Sequence, residues 1–226
     1  MVILLMGPPG AGKGTQVERL SQSYCLDRVC TGDILRHEVA KRSELGVKVE
    51  GYMNRGKLVP DDIMIDIVAR RLAWDSDCLG YLLDGFPRTI KQAQKLDHLM
   101  KERDKGIDLV FNIAVSETEL IRRISGRRVC PKCSRLYHME FNKPRADELC
   151  DYCDISLIQR VDDREEVVRN RLALYRQETE SLLEYYRHQN KLVEIDGDRN
   201  ADEVFSHISG YIENHLSYNS HIKREN

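Results

Sequence analysis

Residues 1–20 read MVILLMGPPGAGKGTQVERL. Met1 to Met6 form an unbroken apolar run, a glycine-rich segment follows at once, and the residues after Thr15 have a helical pattern. This order of strand, glycine loop and helix is typical of a phosphate-binding loop. Glycines let the backbone curl around an anion, and the dipole of the next helix favours negative charge at its start. The sequence therefore predicts a phosphate cradle in the segment Gly7 to Thr15.

Lys13 adds a full positive charge on a long side chain, which can reach the outer phosphates of a nucleotide. The usual loop has Ser or Thr directly after its lysine, whereas this chain has Gly14 there and Thr15 next. Either the Thr15 hydroxyl helps to hold Mg²⁺, or the loop is a variant. A glycine-rich turn with a chance lysine is the alternative, and the flanking strand and helix argue against it.

Composition limits the possible classes of protein. The chain has 226 residues, of which 41% are hydrophobic and 32% charged, as in globular proteins of one or two domains. Its net charge of −2 gives no general attraction to nucleic acid. We find no apolar run of roughly 20 residues and no signal-peptide pattern at the N-terminus. We therefore expect a cytoplasmic protein with neither a membrane nor a nucleic acid as partner.

Strands and helices alternate along most of the chain. Strands are predicted at 80–84, 109–115 and 191–197, and helices at 163–188 and 201–216, with a polar tail from 217 that frays. Outside residues 127–163 this predicts an α/β fold of three layers with a mainly parallel sheet. Because parallel strands end at the ligand crevice, Asp84 should face the glycine loop and could hold Mg²⁺ or its water ligands.

Four of the seven cysteines form two C-x-x-C pairs, Cys130 with Cys133 and Cys150 with Cys153. Sixteen residues separate the pairs, a spacing typical of a four-thiolate zinc site. Such a site has no open position for water, so the zinc should be structural. The other three cysteines are predicted to be reduced and mostly buried, and they are Cys25, Cys30 and Cys78.

Residues 127–163 interrupt the alternation as a small inserted lobe. A zinc ribbon that binds nucleic acid and a solvated charged linker are two interpretations of it. Arginines lie at both edges of the lobe, at Arg127, Arg128 and Arg160. This placement favours a lid that closes over phosphates and brings charge to them.

Motifs along nearly the whole chain resemble those of adenylate kinases, in the long-lid bacterial form whose lid carries zinc. They are the segment 7–15, Thr31-Gly32-Asp33 with Arg36, Gly56 to Val59, Leu83 to Thr89, Gly126-Arg127-Arg128, Arg160 with Asp162 and Asp163, and Arg171. The resemblance implies a P-loop nucleotide kinase core over 1–29, 60–126 and 164–226. It also implies an NMP-binding segment over 30–59 and a zinc-containing lid over 127–163. A UMP/CMP kinase fits less well, since that group has a short lid, and a nucleotide switch protein would lack the arginines.

The resemblance further implies reversible transfer of a phosphoryl group from MgATP to AMP, giving two ADP. We expect a monomer that serves nucleotide biosynthesis and holds structural Zn²⁺. The implied ATP contacts are Gly10, Ala11, Gly12, Lys13, Gly14, Thr15, Arg127, Leu136, Tyr137 and Arg199. The implied AMP contacts are Thr31, Arg36, Lys57, Leu58, Val59, Gly85, Phe86, Pro87, Arg88, Gln92, Arg160 and Arg171. The implied catalytic cations are Lys13, Arg88, Arg123, Arg127, Arg160 and Arg171.

Overall fold

A computed structural model describes residues 1–72, 78–102 and 104–222, with side chains up to Tyr218. Within these ranges the strands are β1 Val2–Met6, β2 Leu26–Cys30, β3 Gly80–Asp84, β4 Leu109–Ala114, β5 Arg127–Val129, β6 Leu136–His138 and β7 Leu192–Asp196. The helices are α1 Lys13–Tyr24, α2 Thr31–Ala40, α3 Glu44–Asn54, α4 Asp61–Arg71, α5 Ile90–Lys101, α6 Glu117–Ser125, α7 Glu165–Leu174, α8 Glu180–Arg187 and α9 Ala201–Ile222. A 3₁₀ turn spans Val161–Asp163, and a π-helical turn, Tyr175–Thr179, joins α7 to α8.

The central sheet has the strand order β2-β3-β1-β4-β7, and each neighbouring pair is parallel. Leu4 of β1 lies between Leu83 of β3 and Val110 of β4. The carboxyl ends of the strands therefore meet at one edge, and the glycine loop leaves β1 at that edge. The predicted parallel α/β core is confirmed.

Alternate residues of β1 enter two separate hydrophobic clusters, one on each face of the sheet. Val2, Leu4 and Met6 pack with residues of α2 to α5 and α8. Ile3 and Leu5 pack with residues of α1, α6, α7 and α9. Because helices cover both faces, every strand position is buried, which explains why the strand reads as an unbroken apolar run.

The inserted lobe has its own small sheet and core. β5 and β6 pair antiparallel, with Arg127 opposite His138, and Val129 forms a further bridge to Ile158. The lobe core contains Cys130, Tyr137, Cys150 and Leu157. So few buried apolar side chains stabilise a fold only weakly, which suits the predicted metal staple.

Two helix predictions need correction. α9 runs to Ile222, so the prediction that the tail frays from residue 217 is wrong as far as the structure describes it, and 223–226 lie outside the described residues. Tyr24 donates a hydrogen bond to Glu213, and His215 approaches Asp108 to 3.4 Å, so α9 is held to the core up to residue 215. The helix predicted over 163–188 begins at Glu165 and contains the π-helical turn. No described helix is long and apolar enough to cross a bilayer.

The prediction that the three remaining cysteines are mostly buried is also wrong. Cys25 is exposed, and Cys30 and Cys78 are only half-buried. Cys25 precedes β2, Cys30 ends it, and Cys78 lies two residues before β3. Strand ends are less covered by helices than strand centres, so a small apolar side chain there stays accessible.

Candidate active site

The glycine loop packs tightly against α6. Gly10 and Gly12 have φ values of 88° and 89°, a conformation that side chains other than glycine rarely adopt. A Cβ on Gly10 would lie 2.7 Å from Cγ1 of Ile124, so only glycine fits there. Gly12 directly precedes α1, whose first backbone N–H groups have no partner within the helix. The loop can therefore present several N–H donors to an anion, as the motif predicts.

The Lys13 side chain folds back over this loop. Its Nζ donates hydrogen bonds of 2.9 Å to the carbonyl oxygens of Gly7 and Pro8. Burial lowers the pKa of Lys13 to about 8, Asp84 acts in the opposite direction, and Arg88 and Arg171 lower it further. Side chains that shift one another's protonation in this way share a single crevice. Asp84, at the end of β3, faces the glycine loop as predicted.

Two neighbouring carboxylates hold several of the predicted arginines. Asp162 lies 3.0 Å from Nη1 of Arg171 and 3.7 Å from Nη1 of Arg36. Burial opposes the ionisation of Asp162, but Arg171 and Arg36 together keep its pKa below the ordinary value. Asp163 is buried and accepts two hydrogen bonds from Arg127, the one from Nε being 2.7 Å long. The two acids thus link the inserted lobe to α2 and α7.

Positive charge remains in excess at the crevice. Burial lowers the pKa of Arg160 to about 10, with Arg36 and Arg127 adding to the effect, and its Nε is a buried donor without a hydrogen-bond partner among the described groups. Burial likewise lowers the pKa of Arg171 to about 10. Within the part of the chain that the structure describes, six cations lie there, namely Lys13, Arg36, Arg88, Arg127, Arg160 and Arg171. They outnumber the four carboxylates, which are Asp33, Asp84, Asp162 and Asp163. Such a cluster favours a polyanion.

Two adjoining cavities meet at this cluster. The first is lined by the predicted residues Thr31, Arg36, Lys57, Leu58, Val59, Arg88, Gln92 and Arg171. The second is lined by Gly7, Lys13, Gly85, Pro87 and Tyr175, among others. Leu58, Arg88 and Arg171 line both cavities. The space therefore suits two ligands that meet at the arginines.

Four predicted residues lie at the margin of this site or away from it. Arg123 borders the glycine loop, 3.9 Å from the position of a Cβ on Gly12, and donates to Glu119 at 2.8 Å. Arg199 is exposed and pairs with Asp196 at 3.1 Å. Phe86 is buried in the core and lines neither cavity. Thr15 is exposed in the first turn of α1.

The four lobe cysteines come together as predicted. Their sulfur atoms all lie within 4.8 Å of one another, and those of Cys133 and Cys150 are 3.7 Å apart. Tetrahedral zinc with bonds of about 2.3 Å separates its sulfur ligands by about 3.8 Å, so the arrangement fits a closed four-thiolate site. The Tyr137 hydroxyl lies 3.5 Å from the Cys150 sulfur, so this predicted ATP contact has its side chain in the lobe core, whereas Leu136 is exposed.

Known proteins match this chain over nearly its full length. A family model described as Adenylate kinase matches residues 5–191. The chain belongs to the adenylate kinase family. A relative from Methanocella arvoryzae, named adenylate kinase, is 48% identical over 212 residues, which cover 94% of this chain and 98% of the relative. Adenylate kinases of Archaeoglobus fulgidus and Clostridium novyi are 46% and 43% identical, each covering 94% of this chain.

Family membership confirms the kinase prediction. Adenylate kinases are nucleoside monophosphate kinases, and the family catalyses the conversion of ATP and AMP to two ADP. The part of this chain that the Clostridium novyi alignment leaves out, 6%, is shorter than the inserted lobe. The lobe is therefore shared at least in part with that bacterial relative, in agreement with the long-lid form.

Sequence reasoning missed several residues that hold the site together. Asp162 and Asp163 were recognised as part of a motif, but their pairing with Arg36, Arg127 and Arg171 was not predicted. Asp61 was also missed, and it orients a side chain of the first cavity by accepting a hydrogen bond of 2.7 Å from Nε2 of Gln92. The usable signal was the acidic pair beside Arg160, because carboxylates next to a cluster of arginines commonly pair with them.

Proposed function

We propose that this protein catalyses the reversible transfer of the terminal phosphoryl group of MgATP to AMP, giving two ADP. The observation that carries the proposal is the meeting of two cavities at one cluster of cations. Two polyanions must approach each other in this reaction, and fixed positive charge offsets their repulsion.

The ATP phosphates would bind at the start of α1. Residues Gly10 to Thr15 would cradle them, Lys13 would follow the transferred group, and Arg123 and Arg127 would add charge. Leu136, Tyr137 and Arg199 would contact the rest of ATP, with Tyr137 acting through its backbone because its hydroxyl is bonded within the lobe. The hydrogen bonds from Lys13 to the carbonyl oxygens of Gly7 and Pro8, which place its charge at the loop, support this assignment.

AMP would bind in the first cavity. Its base would contact Thr31, Lys57, Leu58, Val59 and Gln92, and its phosphate would meet Arg36, Arg88, Arg160 and Arg171. Gly85, Phe86 and Pro87 would shape the turn beside the phosphate. A cavity lined by both apolar side chains and several cations suits a nucleoside monophosphate.

The attacking atom would be an oxygen of the AMP phosphate, which is ionised near neutral pH. No general base is then needed, and the protein's task is to align the two phosphates and stabilise the charge that spreads over the transferred group. The forked guanidinium of arginine can grip two phosphate oxygens at once, which favours arginine over lysine in these positions. We assign the catalytic roles to Lys13, Arg88, Arg123, Arg127, Arg160 and Arg171.

Mg²⁺ would enter with ATP and neutralise charge on its phosphates. Asp84 would hold it through water, and Thr15 could do the same from the first turn of α1. Both offer the hard oxygen donors that Mg²⁺ prefers. The position of Asp84 beside Lys13 supports this assignment more directly than the exposed position of Thr15 does.

We further propose that residues 127–163 act as a lid and residues 30–59 as a second moving segment, on a core formed by 1–29, 60–126 and 164–226. Closure of both would exclude water, which competes with AMP for the phosphoryl group. In the cell the four-cysteine site would hold structural Zn²⁺, and the protein would act as a cytoplasmic monomer.

A single assay tests the proposed reaction. The protein is mixed with MgATP and, separately, with AMP, GMP, CMP or UMP, and diphosphate formation is followed by chromatography. We expect rapid formation of ADP with AMP and little product with the pyrimidine nucleotides. Preference for CMP or UMP would replace the proposal with a pyrimidine nucleotide kinase, and no transfer to any acceptor would refute it.

A further inference from the structure

Two of the three cysteines outside the lobe lie side by side. Cys25 directly precedes β2 and Cys78 lies just before β3, and these strands are paired from Leu26 and Gly80 onwards. The Leu79 backbone N–H donates a 2.9 Å hydrogen bond to the Cys25 carbonyl oxygen, so the two chain segments are already fastened together. The sulfur atoms of Cys25 and Cys78 are 3.9 Å apart.

We propose that Cys25 and Cys78 form a reversible disulfide when the protein meets a small oxidant such as hydrogen peroxide. A disulfide bond is about 2.05 Å long, so the sulfurs must approach each other by less than about 2 Å, which side-chain rotation at a strand start can supply. Cys25 is exposed and Cys78 half-buried. Peroxide can therefore reach Cys25 first, with Cys78 placed to react second.

The chemistry balances with one molecule of peroxide. The Cys25 thiol loses its proton and the thiolate attacks one peroxide oxygen. The O–O bond breaks, the leaving hydroxide takes up a proton, and a sulfenic acid and one water form. The Cys78 sulfur then attacks the Cys25 sulfur, the S–O bond breaks, and a second water leaves. Both cysteine sulfurs are oxidised and the peroxide is reduced to two waters. A dithiol reductant reverses the bond by thiol–disulfide exchange.

The disulfide would close a loop that contains α2, α3 and α4. These helices form part of the wall of the first cavity. A cross-link across a long loop restricts the unfolded chain most, so oxidation should stabilise the fold. The pair lies at the amino ends of β2 and β3, the edge opposite the crevice. Oxidation should therefore raise thermal stability and leave kcat within about twofold.

The test uses the zinc-loaded full chain, treated with hydrogen peroxide or with a dithiol reductant. We expect a peptide that links Cys25 to Cys78 in non-reducing mass spectrometry, and a rise in Tm of roughly 5–15 °C that the reductant reverses. Cys25→Ser and Cys78→Ser should abolish both effects, whereas the control Cys30→Ser should keep both. The proposal would be overturned if no linked peptide were found, or if the rise in Tm persisted in Cys25→Ser.

A second observation concerns Gln92, whose side-chain amide is held at both ends. Its Nε2 donates to Oδ1 of Asp61 at 2.7 Å, and its Oε1 accepts a 2.7 Å hydrogen bond from the backbone N–H of Arg88. Asp61 also accepts a hydrogen bond from the Thr89 hydroxyl. A carboxylate can only accept and a backbone N–H can only donate, so the two partners together decide which way the amide faces.

We infer that Asp61 is a positioning residue for base selection, an inference that rests on the proposed function. With one donor and one acceptor used, the Gln92 amide keeps one N–H and one lone pair for a base in the first cavity. Adenine offers an amino donor beside a ring-nitrogen acceptor, which matches that pair. A 6-oxo purine has an acceptor oxygen and a ring N–H donor in the reverse order, so its ring N–H would face the N–H of Gln92.

The inference predicts a change in selectivity, not a general loss. Asp61→Asn can turn an N–H toward Gln92 instead of an acceptor, so the amide is then oriented by the Arg88 N–H alone and less firmly, and the ratio of kcat/KM for AMP to that for IMP should fall about 10-fold. The control Asp62→Asn, on the exposed neighbour, should keep the ratio. An unchanged ratio in Asp61→Asn would sink the inference while leaving the kinase intact, whereas wild-type protein that fails to use AMP would sink the proposed function itself.

Discussion

Lys13 is the only charged residue in the segment 7–15. Lys13→Met keeps the length and apolar stem of the side chain but removes its charge, so we predict a fall in kcat of about 10³-fold or more with the fold intact. Arg88→Ala should cause a loss of similar size, because Arg88 borders both cavities. A coupled ADP assay measures both. Lys95→Met and Arg70→Ala, on exposed helix faces, are the matched controls and should keep normal rates.

The low pKa of Lys13 predicts an unusual dependence on pH. Because its pKa is about 8 in the unliganded protein, the side chain loses its charge above that pH, whereas an ordinary lysine stays charged to about pH 10. The kcat/KM for ATP reports the free enzyme, so it should fall as pH rises through about 8. Lys13→Arg, which stays charged, should be less active but should show no such fall. A wild-type profile that is flat from pH 7 to 10 would contradict the prediction.

Single residues of the site could be predicted where a local motif contained them. Lys13, Arg88 and the four lobe cysteines all stand in short motifs whose spacing carries the chemistry. Asp61 could not be predicted in this way, because it reaches Gln92 across 31 positions of sequence. Tyr137 shows a further limit, since a motif gives its place in the chain but not that its hydroxyl turns to Cys150.

We propose that the inserted lobe is stabilised mainly by a zinc ion held by its four cysteines. Its buried core contains Cys130, Tyr137, Cys150 and Leu157, two of which are the proposed ligands. We predict that a strong chelator lowers the calorimetric Tm by about 5 °C or more, a larger change than its effect on chemistry at low temperature.

Matched variants make this test specific to the lobe. Cys133→Ser should reproduce the effect of the chelator, and Cys25→Ser, in reducing buffer, should not. Elemental analysis should find about one zinc per chain before treatment. An unchanged Tm after chelator treatment, on protein shown to have lost its zinc, would contradict a structural role for the metal.

Elements were predictable to the extent that their signals are local. The alternation of strands and helices gave the core, because apolar runs and turn residues mark parallel α/β units directly. The π-helical turn at Tyr175–Thr179 has no such signal, and it depends on packing around the crevice, where Thr179 donates to the Arg88 carbonyl. The end of α9 carries no such signal, because residues 217–222 are mostly polar and the contacts with distant residues lie earlier in the helix, at Glu213 and His215.

The whole molecule must keep water away from a reactive phosphoryl group. If the lid and the segment 30–59 close productively only when both nucleotides are bound, ATP alone should be hydrolysed slowly. We predict a rate of phosphate release without AMP at least about 100-fold below the rate of ADP formation with AMP. Phosphate release and ADP formation are measured on one preparation. Comparable rates would show that the site does not exclude water, and the lid proposal would fail.

The account depends on one cluster of cations serving two nucleotides at once. The most direct measurement is a crystal structure of the protein with AMP and an ATP analogue whose terminal phosphoryl group cannot be transferred. We predict that the attacking oxygen of AMP lies about 3–3.5 Å from the terminal phosphorus, with Lys13, Arg88, Arg127, Arg160 and Arg171 around the two phosphates. Nucleotides bound in separate pockets, with these side chains divided between them, would contradict the account.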